Sequence, residues 1–193
     1  MDSLTPKIEF SVDSLTVFYV REYGFVERLI EDYRRQGYTV RSLHIVSDCV
    51  DHLDVPDGVE ELIATRVGLK SVKIPSSLKY MYVSDNFLQE LILPVGSMVQ
   101  LIDAKHNCIE RFVCLDGAFP SSLLSVKLKN NRLRELMYER SKSLFYLDIR
   151  FQNQFITLDK IHPSLLVTVS NEEFECRHCQ FDDGLKETWR EAC

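Results

Sequence analysis

The sequence predicts an α/β solenoid, a single domain over residues 1–193 with parallel strands on its concave face, few helices and a cap at each end. Three observations support this prediction. Apolar residues recur in one register about every twenty residues between residues 40 and 170. Within each recurrence they alternate with a period of two, which is typical of a strand with one buried face. Residues 1–39 and 171–193 leave the register, as end units of a stacked array do because one of their faces lacks a neighbour.

The repeat occurs seven times, and its clearest copies begin at Leu78 and Leu123. The first apolar positions of the copies are Val40, Val59, Leu78, Val99, Leu123, Leu144 and, loosely, Ser164. The predicted strand centres are Leu43 and Ile45, Leu62 and Ala64, Met81 and Val83, Ile102 and Ala104, Val126 and Leu128, Leu147 and Ile149, and Val167 and Val169. The common register predicts that these pairs stack on one another through the whole array.

A polar position follows each predicted strand. It carries Asp48, Val67, Asn86, Asn107, Asn131 and, after a slip of one residue, Asn153. An asparagine there can satisfy buried backbone groups where the chain turns out of the strand, which an apolar residue cannot do. We therefore expect an asparagine ladder that is broken at Val67 and weaker at Asp48.

The best copies read Leu78-x-x-Met81-x-Val83-x-x-Asn86-x-Leu88-x-x-Leu91 and Leu123-x-x-Val126-x-Leu128-x-x-Asn131-x-Leu133-x-x-Leu136. This pattern resembles the leucine-rich-repeat family over residues 40–170. The resemblance implies a binding module rather than an enzyme. Because the repeats are short, we expect an extended or 3₁₀ convex side without full helices. The segments 74–78 and 119–123, and more loosely 162–165, are similar to the proline joints of short repeats in bacterial effector proteins.

The two ends are predicted to be caps. In residues 1–39, the apolar spacing from Val12 to Val20 predicts one more strand, and residues 22–36 predict a helix with Gly37 as its stop. Residues 171–193 are acidic and lose the repeat, and we expect a short helix over residues 183–191.

Composition is that of an ordinary soluble chain, with 45% hydrophobic and 27% charged residues. No stretch approaches the roughly 20 apolar residues of a spanning helix. The N-terminus lacks the pattern of a signal peptide, and six scattered cysteines favour reduced thiols, so we expect an intracellular, cytoplasmic protein. The net charge of −6 argues against general nucleic-acid binding, which needs a basic surface.

The residues between the strand anchors are expected to point outward and to form columns across the sheet. One column brings Lys105, Lys129 and Arg150 onto neighbouring strands with Lys127 beside them. This basic row predicts contact with an acidic segment or a phosphate of a partner. The alternative is a solvated face whose charge is offset by acidic residues of the next column, Asp103 and Asp148.

Tyr80, Tyr82 and Tyr146 fall in the same outward columns, near Ile63 and Leu101. Exposed aromatic residues on a sheet are favoured anchors for protein partners. The alternative is ordinary packing between strands.

Catalytic and metal chemistry is weakly represented. Cys176-x-x-Cys179 supplies half of a zinc-binding spacing without a second pair, so we expect neither a metal nor another cofactor. Cys49 and Cys114 each match a Cys-x-Asp string that resembles the catalytic cysteine of some bacterial repeat effectors. Cys114, however, falls at an anchor position of the repeat, and we expect no enzyme.

These observations favour a non-catalytic module that binds a protein partner on its concave face. One alternative is a fixed structural subunit of a larger assembly, such as a virus particle or a ribonucleoprotein. Another is an effector or substrate adaptor for ubiquitination. The sequence does not specify an oligomeric state.

Overall fold

The chain winds into a β-solenoid of about five turns, with repeats of about 21 residues and parallel stacked strands. In the computed structural model, the described residues are 7–11, 13–18, 24–46, 50–136, 143–152, 156–158, 166–168 and 174–176. Each turn contributes one strand to a long sheet and one strand to a second side, which we call the back side.

The long sheet has nine strands. In spatial order they are β1 (Lys7–Ser11), β2 (Ser14–Phe18), β3 (Ser42–Val46), β5 (Glu61–Ile63), β7 (Tyr80–Tyr82), β9 (Leu101–Asp103), β11 (Ser125–Lys127), β13 (Tyr146–Asp148) and β15 (Leu166–Thr168). All neighbours pair in parallel except β1 and β2, which form an antiparallel hairpin. The strand centres from Leu43 to Leu147 pair in the predicted register, which confirms the repeat boundaries.

The back side is also extended. Its strands are β4 (His52–Asp54), β6 (Ser71–Lys73), β8 (Glu90–Leu93), β10 (Arg111–Cys114), β12 (Glu135–Leu136), β14 (Ile156–Leu158) and β16 (Phe174–Cys176). They pair in parallel as β4 with β6, β10 with both β8 and β12, and β14 with β16. The expectation of an extended back is therefore confirmed. No helix of a described turn lies on this side, unlike the convex face of a typical leucine-rich-repeat protein.

The core is a stack of identical contacts between turns. Leu62, Met81 and Ile102 occupy one register of consecutive strands and are fully buried. The back strands close the other side of the core with residues such as Leu91 and Phe112, which also pair in register. Each fully buried side chain of this size contributes about 1.5–3 kcal/mol, so stability accumulates turn by turn.

An amide ladder joins the turns where the chain leaves the long sheet. The Asn107 side-chain oxygen accepts the Leu88 backbone N–H at 3.0 Å, and its NH₂ group donates to the Val83 carbonyl oxygen of the preceding turn at 3.0 Å. It also donates to the Ala104 carbonyl oxygen of its own turn at 3.2 Å. Asn86 and Asn131 make equivalent bonds, and the valine at position 67 ends the ladder as expected.

The fourth residue of the ladder is Gln152, which corrects the expectation of Asn153. Gln152 is buried, accepts the Leu133 N–H at 3.1 Å and donates to the Leu128 carbonyl oxygen at 2.7 Å. It also bridges Asn131 in parallel register. No slip of register is needed, because the longer glutamine side chain carries the same amide. Asn153 and Asp48 lie outside the described residues.

A left-handed backbone conformation precedes the ladder position in successive turns. The residues with positive φ there are Arg66 (59°), Asp85 (58°), His106 (54°), Asn130 (54°) and Phe151 (56°). This region is sparsely populated by residues other than glycine. The bend turns the chain sharply, and the hydrogen bonds of the amide that follows hold it in place.

The N-terminal cap consists of the β1–β2 hairpin and helix α1 (Phe25–Arg35). The helix begins three residues later than the predicted Glu22 and ends before Gly37, as expected. Gly37 has a φ of 86°, its N–H donates to the Arg34 carbonyl, and the Tyr38 N–H donates to the Tyr33 carbonyl. This is a Schellman ending, which glycine adopts without steric strain. Phe10 stacks on Tyr33 at 4.7 Å between ring centroids and covers the end of the core.

The sequence did not predict β1, because residues 7–11 lie outside the repeat register. Two other expectations, the tail helix over residues 183–191 and the joint at residues 162–165, fall outside the described residues.

Proline corners lead from the back side to the long sheet. In four turns the carbonyl of a proline accepts the N–H of the residue three positions later, with Pro56, Pro75, Pro94 and Pro120 as acceptors. At two corners a serine adds a bond between turns: Ser77 donates to the Val59 carbonyl at 2.9 Å and Ser122 to the Val99 carbonyl at 2.8 Å. The joints predicted at 74–78 and 119–123 are therefore two of four corners.

We expect Asn107→Ala to lower the free energy of unfolding by about 1–3 kcal/mol, since it leaves the buried Leu88 N–H without a partner and removes one hydrogen bond each from the Val83 and Ala104 carbonyl oxygens. Urea unfolding followed by circular dichroism measures this. Gln89→Ala, at an exposed site near the ladder, is the control and should change stability by less than about 0.5 kcal/mol. Equal stability of the two variants would contradict the role of the ladder.

Candidate functional site

The outer face of the long sheet carries the predicted columns of side chains. Strand pairing aligns Ser42, Glu61, Tyr80, Leu101, Ser125, Tyr146 and Leu166 in one column. The next column is His44, Ile63, Tyr82, Asp103, Lys127, Asp148 and Thr168. Beyond the strands, backbone bonds from His106 to Lys129 and from Asn130 to Arg150 continue the alignment into the third column. The seven predicted site residues therefore lie on this one face.

Asp103 sits between two of the basic residues. Its carboxylate lies 3.4 Å from the Lys105 ammonium and 3.7 Å from the Lys127 ammonium, and it accepts the Ser84 hydroxyl at 2.6 Å. The side chain of Asp103 is largely buried, whereas both lysines are about one-third exposed. The charges of Lys105 and Lys127 are thus partly offset.

Arg150 is paired more tightly. Its guanidinium donates two parallel hydrogen bonds to Asp148, at 2.9 Å and 2.8 Å, and the Asp148 side chain is only 3% exposed. The hydrogen bonds with Asp148 raise the pKa of Arg150 above its ordinary value. Arg150 therefore compensates a buried carboxylate, and only part of its charge is available to a partner.

Lys129 differs from its neighbours. Its ammonium lies 5.2 Å from the centre of the Phe151 ring, within the range of a cation–π contact. Within the described ranges it forms no ion pair. The four basic residues and the two aspartates together carry a formal charge of +2 on a protein whose net charge is −6. The face is thus locally positive, with Lys129 as its most available charge.

The tyrosines occupy two parts of the face. Tyr80 is 38% exposed, pairs with Leu101 across the strands and donates its hydroxyl to the Gln100 side-chain oxygen at 3.2 Å. Tyr82 is half-buried beside Asp103. Tyr146 lies three strands from Tyr80, roughly 14 Å away at the usual strand spacing. The tyrosines do not form one cluster.

Two apolar residues extend this surface and were missed by sequence reasoning. Leu124 and Phe145 precede β11 and β13, are 40% and 55% exposed, and are joined by a backbone hydrogen bond of 3.1 Å. In earlier turns the same position carries the polar residues Arg41, Glu60, Lys79 and Gln100. The change to apolar residues at this position could have identified Leu124 and Phe145 as part of the surface. We call Tyr80, Leu101, Leu124, Phe145 and Tyr146 the edge strip, since they lie where the strands of the long sheet begin.

Cys114 is poorly suited to nucleophilic chemistry. It occupies the last position of β10 and packs against the core, as its place in the repeat predicted. Burial, together with the smaller effect of the nearby Asp116 carboxylate, raises the pKa of its thiol to about 12. A thiol with this pKa stays protonated at neutral pH.

The remaining sulfur and metal candidates lie mostly outside the described residues. Cys49 and Cys179 are outside them, and Cys176 ends strand β16. The described residues contain no group of three metal-ligating side chains.

Comparison with protein-family models, with curated proteins and with solved structures found no match for this chain. Among the described residues, no helix has the length and apolar character that crossing a membrane requires. The function is therefore inferred from the surface chemistry of the solenoid itself.

We expect Arg150→Ala to destabilise the fold by about 1–3 kcal/mol, because it removes the two guanidinium hydrogen bonds from the buried Asp148 carboxylate. Adding Asp148→Asn should restore part of the loss, since it removes the uncompensated charge. Urea unfolding of the single and double variants gives the comparison. If the double variant is less stable than Arg150→Ala, the pairing energy assigned here is wrong.

Alkylation of Cys114 by iodoacetamide should be slow in the native protein. The reagent attacks thiolates, and a pKa raised from 9.0 to about 12 keeps the thiol protonated at pH 8.5. Mass spectrometry of tryptic peptides, with urea-unfolded protein as reference, measures the rate. The native rate should rise only as the pH approaches 12, whereas rapid native labelling at pH 8.5 would show that burial does not protect the thiol.

Proposed function

We propose that this protein is a non-catalytic interaction module that binds a partner protein on the outer face of the long sheet. The observation that carries the proposal is that the apolar edge strip and the locally positive group around Lys129 share the outer face of the long sheet, one where the strands begin and the other where they end. Isolated exposed apolar residues are ordinary on protein surfaces, but a strip of aromatic and aliphatic residues beside charges is typical of binding sites.

The chemistry of the face specifies the kind of partner. Phe145 and Tyr80 offer ring surface that a partner can cover, and aromatic residues contribute strongly when they become buried at an interface. Lys129, Lys105 and Lys127 favour acidic groups that approach from the side of the third column and increase the rate of association. The partner is therefore expected to present apolar side chains next to an acidic segment.

The repeat pattern supports a family proposal as well. The spacing of leucines and asparagines, together with the amide ladder, favours a short-repeat relative of the leucine-rich-repeat family with an extended back side. Such solenoids present a continuous sheet for binding. The half-buried Cys108 and Cys114 are free thiols, which is consistent with the reducing interior of a cell, where we propose that the module acts.

The proposal predicts that reversing charge on this face abolishes partner binding. We choose Lys105→Glu with Lys129→Glu and leave Arg150 unchanged. Reversing the charge of Arg150 would place a negative side chain against the buried Asp148 carboxylate and destabilise the fold. The matched control is Lys70→Glu with Arg111→Glu, which changes the net charge equally at exposed positions of the back side. Affinity capture from native extract with wild type and both variants, read by mass spectrometry, identifies the proteins that depend on the face.

Titration calorimetry with the captured partner then gives the affinity of each variant. We expect the face variant to bind at least about tenfold more weakly, or 1.4 kcal/mol, and the control to bind as wild type does. Thermal melting must show that both variants remain folded. Equal retention of every partner by the two variants would rule out the outer face of the long sheet as the binding surface.

A further inference from the structure

A groove of about 700 Å³ lies between helix α1 and the proline corners. Its wall is the helix, through Glu27, Glu31 and Arg34, and its floor is formed by consecutive corners that contain Pro56, Pro75 and Pro94. The volume is in the range of pockets that hold small ligands or short peptide segments. The groove arises because α1, in the N-terminal cap, contacts the back side at β4, and the later turns continue past its edge as bare strands.

The floor of the groove is apolar and continues along the solenoid. The three prolines follow one another at the spacing of stacked turns, roughly 4.8 Å, above the buried Val55 and Ile74. Val95 extends the floor at the third corner and is 64% exposed.

Leu115, which is 59% exposed, lies in the following turn. Its N–H donates to the Leu93 carbonyl, and the neighbouring Asp116 accepts the Gly96 N–H at 2.8 Å, so the two turns are held side by side. The apolar floor therefore leads to a second exposed side chain beyond the groove.

The rim of the groove is acidic. Four carboxylates line it, those of Glu27, Glu31, Asp54 and Asp57, against two cations, Arg34 and Lys73. Arg34 already has a hydrogen-bond partner within the protein, because its guanidinium donates to the Asp57 carbonyl oxygen. The Asp57 carboxylate has no partner among the described residues, and Glu31 is solvent-exposed and forms an ion pair with Arg35 at 3.1 Å. A ligand that approaches the rim therefore meets negative charge.

We propose that this groove binds a short extended segment of a second partner protein in which apolar and basic side chains alternate. Alternate side chains of an extended segment point in opposite directions, so apolar ones can cover the proline rings while basic ones reach Asp57 and Glu31. The floor of about 10 Å accommodates roughly three residues of such a segment. This site lies on a different side of the turns from the long sheet and is opposite in charge, so the protein can hold two partners of opposite charge at once.

The test uses a fluorescein-labelled peptide of alternating leucine and lysine, with a leucine–glutamate peptide as its counterpart. Fluorescence anisotropy with the full chain should give a Kd on the order of 100 μM for the basic peptide. The acidic peptide should bind at least tenfold more weakly. Absence of binding by the basic peptide up to about 1 mM would overturn the proposal.

Variants locate the binding. The double variant Glu31→Lys with Asp57→Lys should bind the basic peptide at least tenfold more weakly. Val95→Ser, which leaves the charge of the groove unchanged, should bind it severalfold more weakly. The control Glu90→Lys with Glu110→Lys makes the same charge change at exposed back-side positions away from the groove and should bind as wild type does. Equal losses of affinity for the basic peptide in the groove variant and in the control variant would indicate general charge attraction. That result would reject the groove as the binding site.

The Lys105→Glu and Lys129→Glu variant separates this inference from the proposed function. This variant should still bind the basic peptide with the affinity of wild type, because it alters only the outer face of the long sheet. Loss of the peptide in that variant would place the binding elsewhere than in the groove.

Discussion

Each turn of the solenoid bends out of the long sheet at a point where buried backbone N–H and C=O groups depend on side-chain amides for their hydrogen bonds. The amides of Asn86, Asn107, Asn131 and Gln152 satisfy these groups and at the same time reach the carbonyl oxygens of the preceding turn. Because an unpaired buried polar group is expensive, the bend, the left-handed residue before it and the register of the neighbouring strand are fixed together.

The surface chemistry follows from that fixed register. Strand register places Lys127 beside Asp103 of the neighbouring strand, whereas Lys105 and Arg150 pair with the aspartates two residues before them in their own turns. The basic row of the sequence therefore consists mostly of ion pairs with a small excess of positive charge. Lys129 is the most available positive charge among them. The edge strip is placed by the same register, at the first residue of each strand or one residue before it.

Sequence reasoning predicted the parts of the fold that repeat. The paired anchors from Leu43 to Leu147 were identified because burial on one face of a strand imposes a local period of two. Gln152 was missed because a glutamine does not match the asparagine pattern, although its amide has the same function. Pro56 and Pro94 were missed because the residues after them differ from the serine pairs of the other corners. The columns were predictable, but the pairing of their charges depended on side-chain conformations that no spacing encodes.

Length varies on only one side of each turn. Tyr80 to Asn86, Leu101 to Asn107, Ser125 to Asn131 and Tyr146 to Gln152 span the same number of residues, whereas the longest turn carries its extra residues after β10, around Gly117. The outer face of the long sheet is therefore a fixed lattice that can change only by substitution. The back side can lengthen without disturbing it. The two proposed binding surfaces therefore differ in how they can change, one by exchange of side chains and the other by insertion.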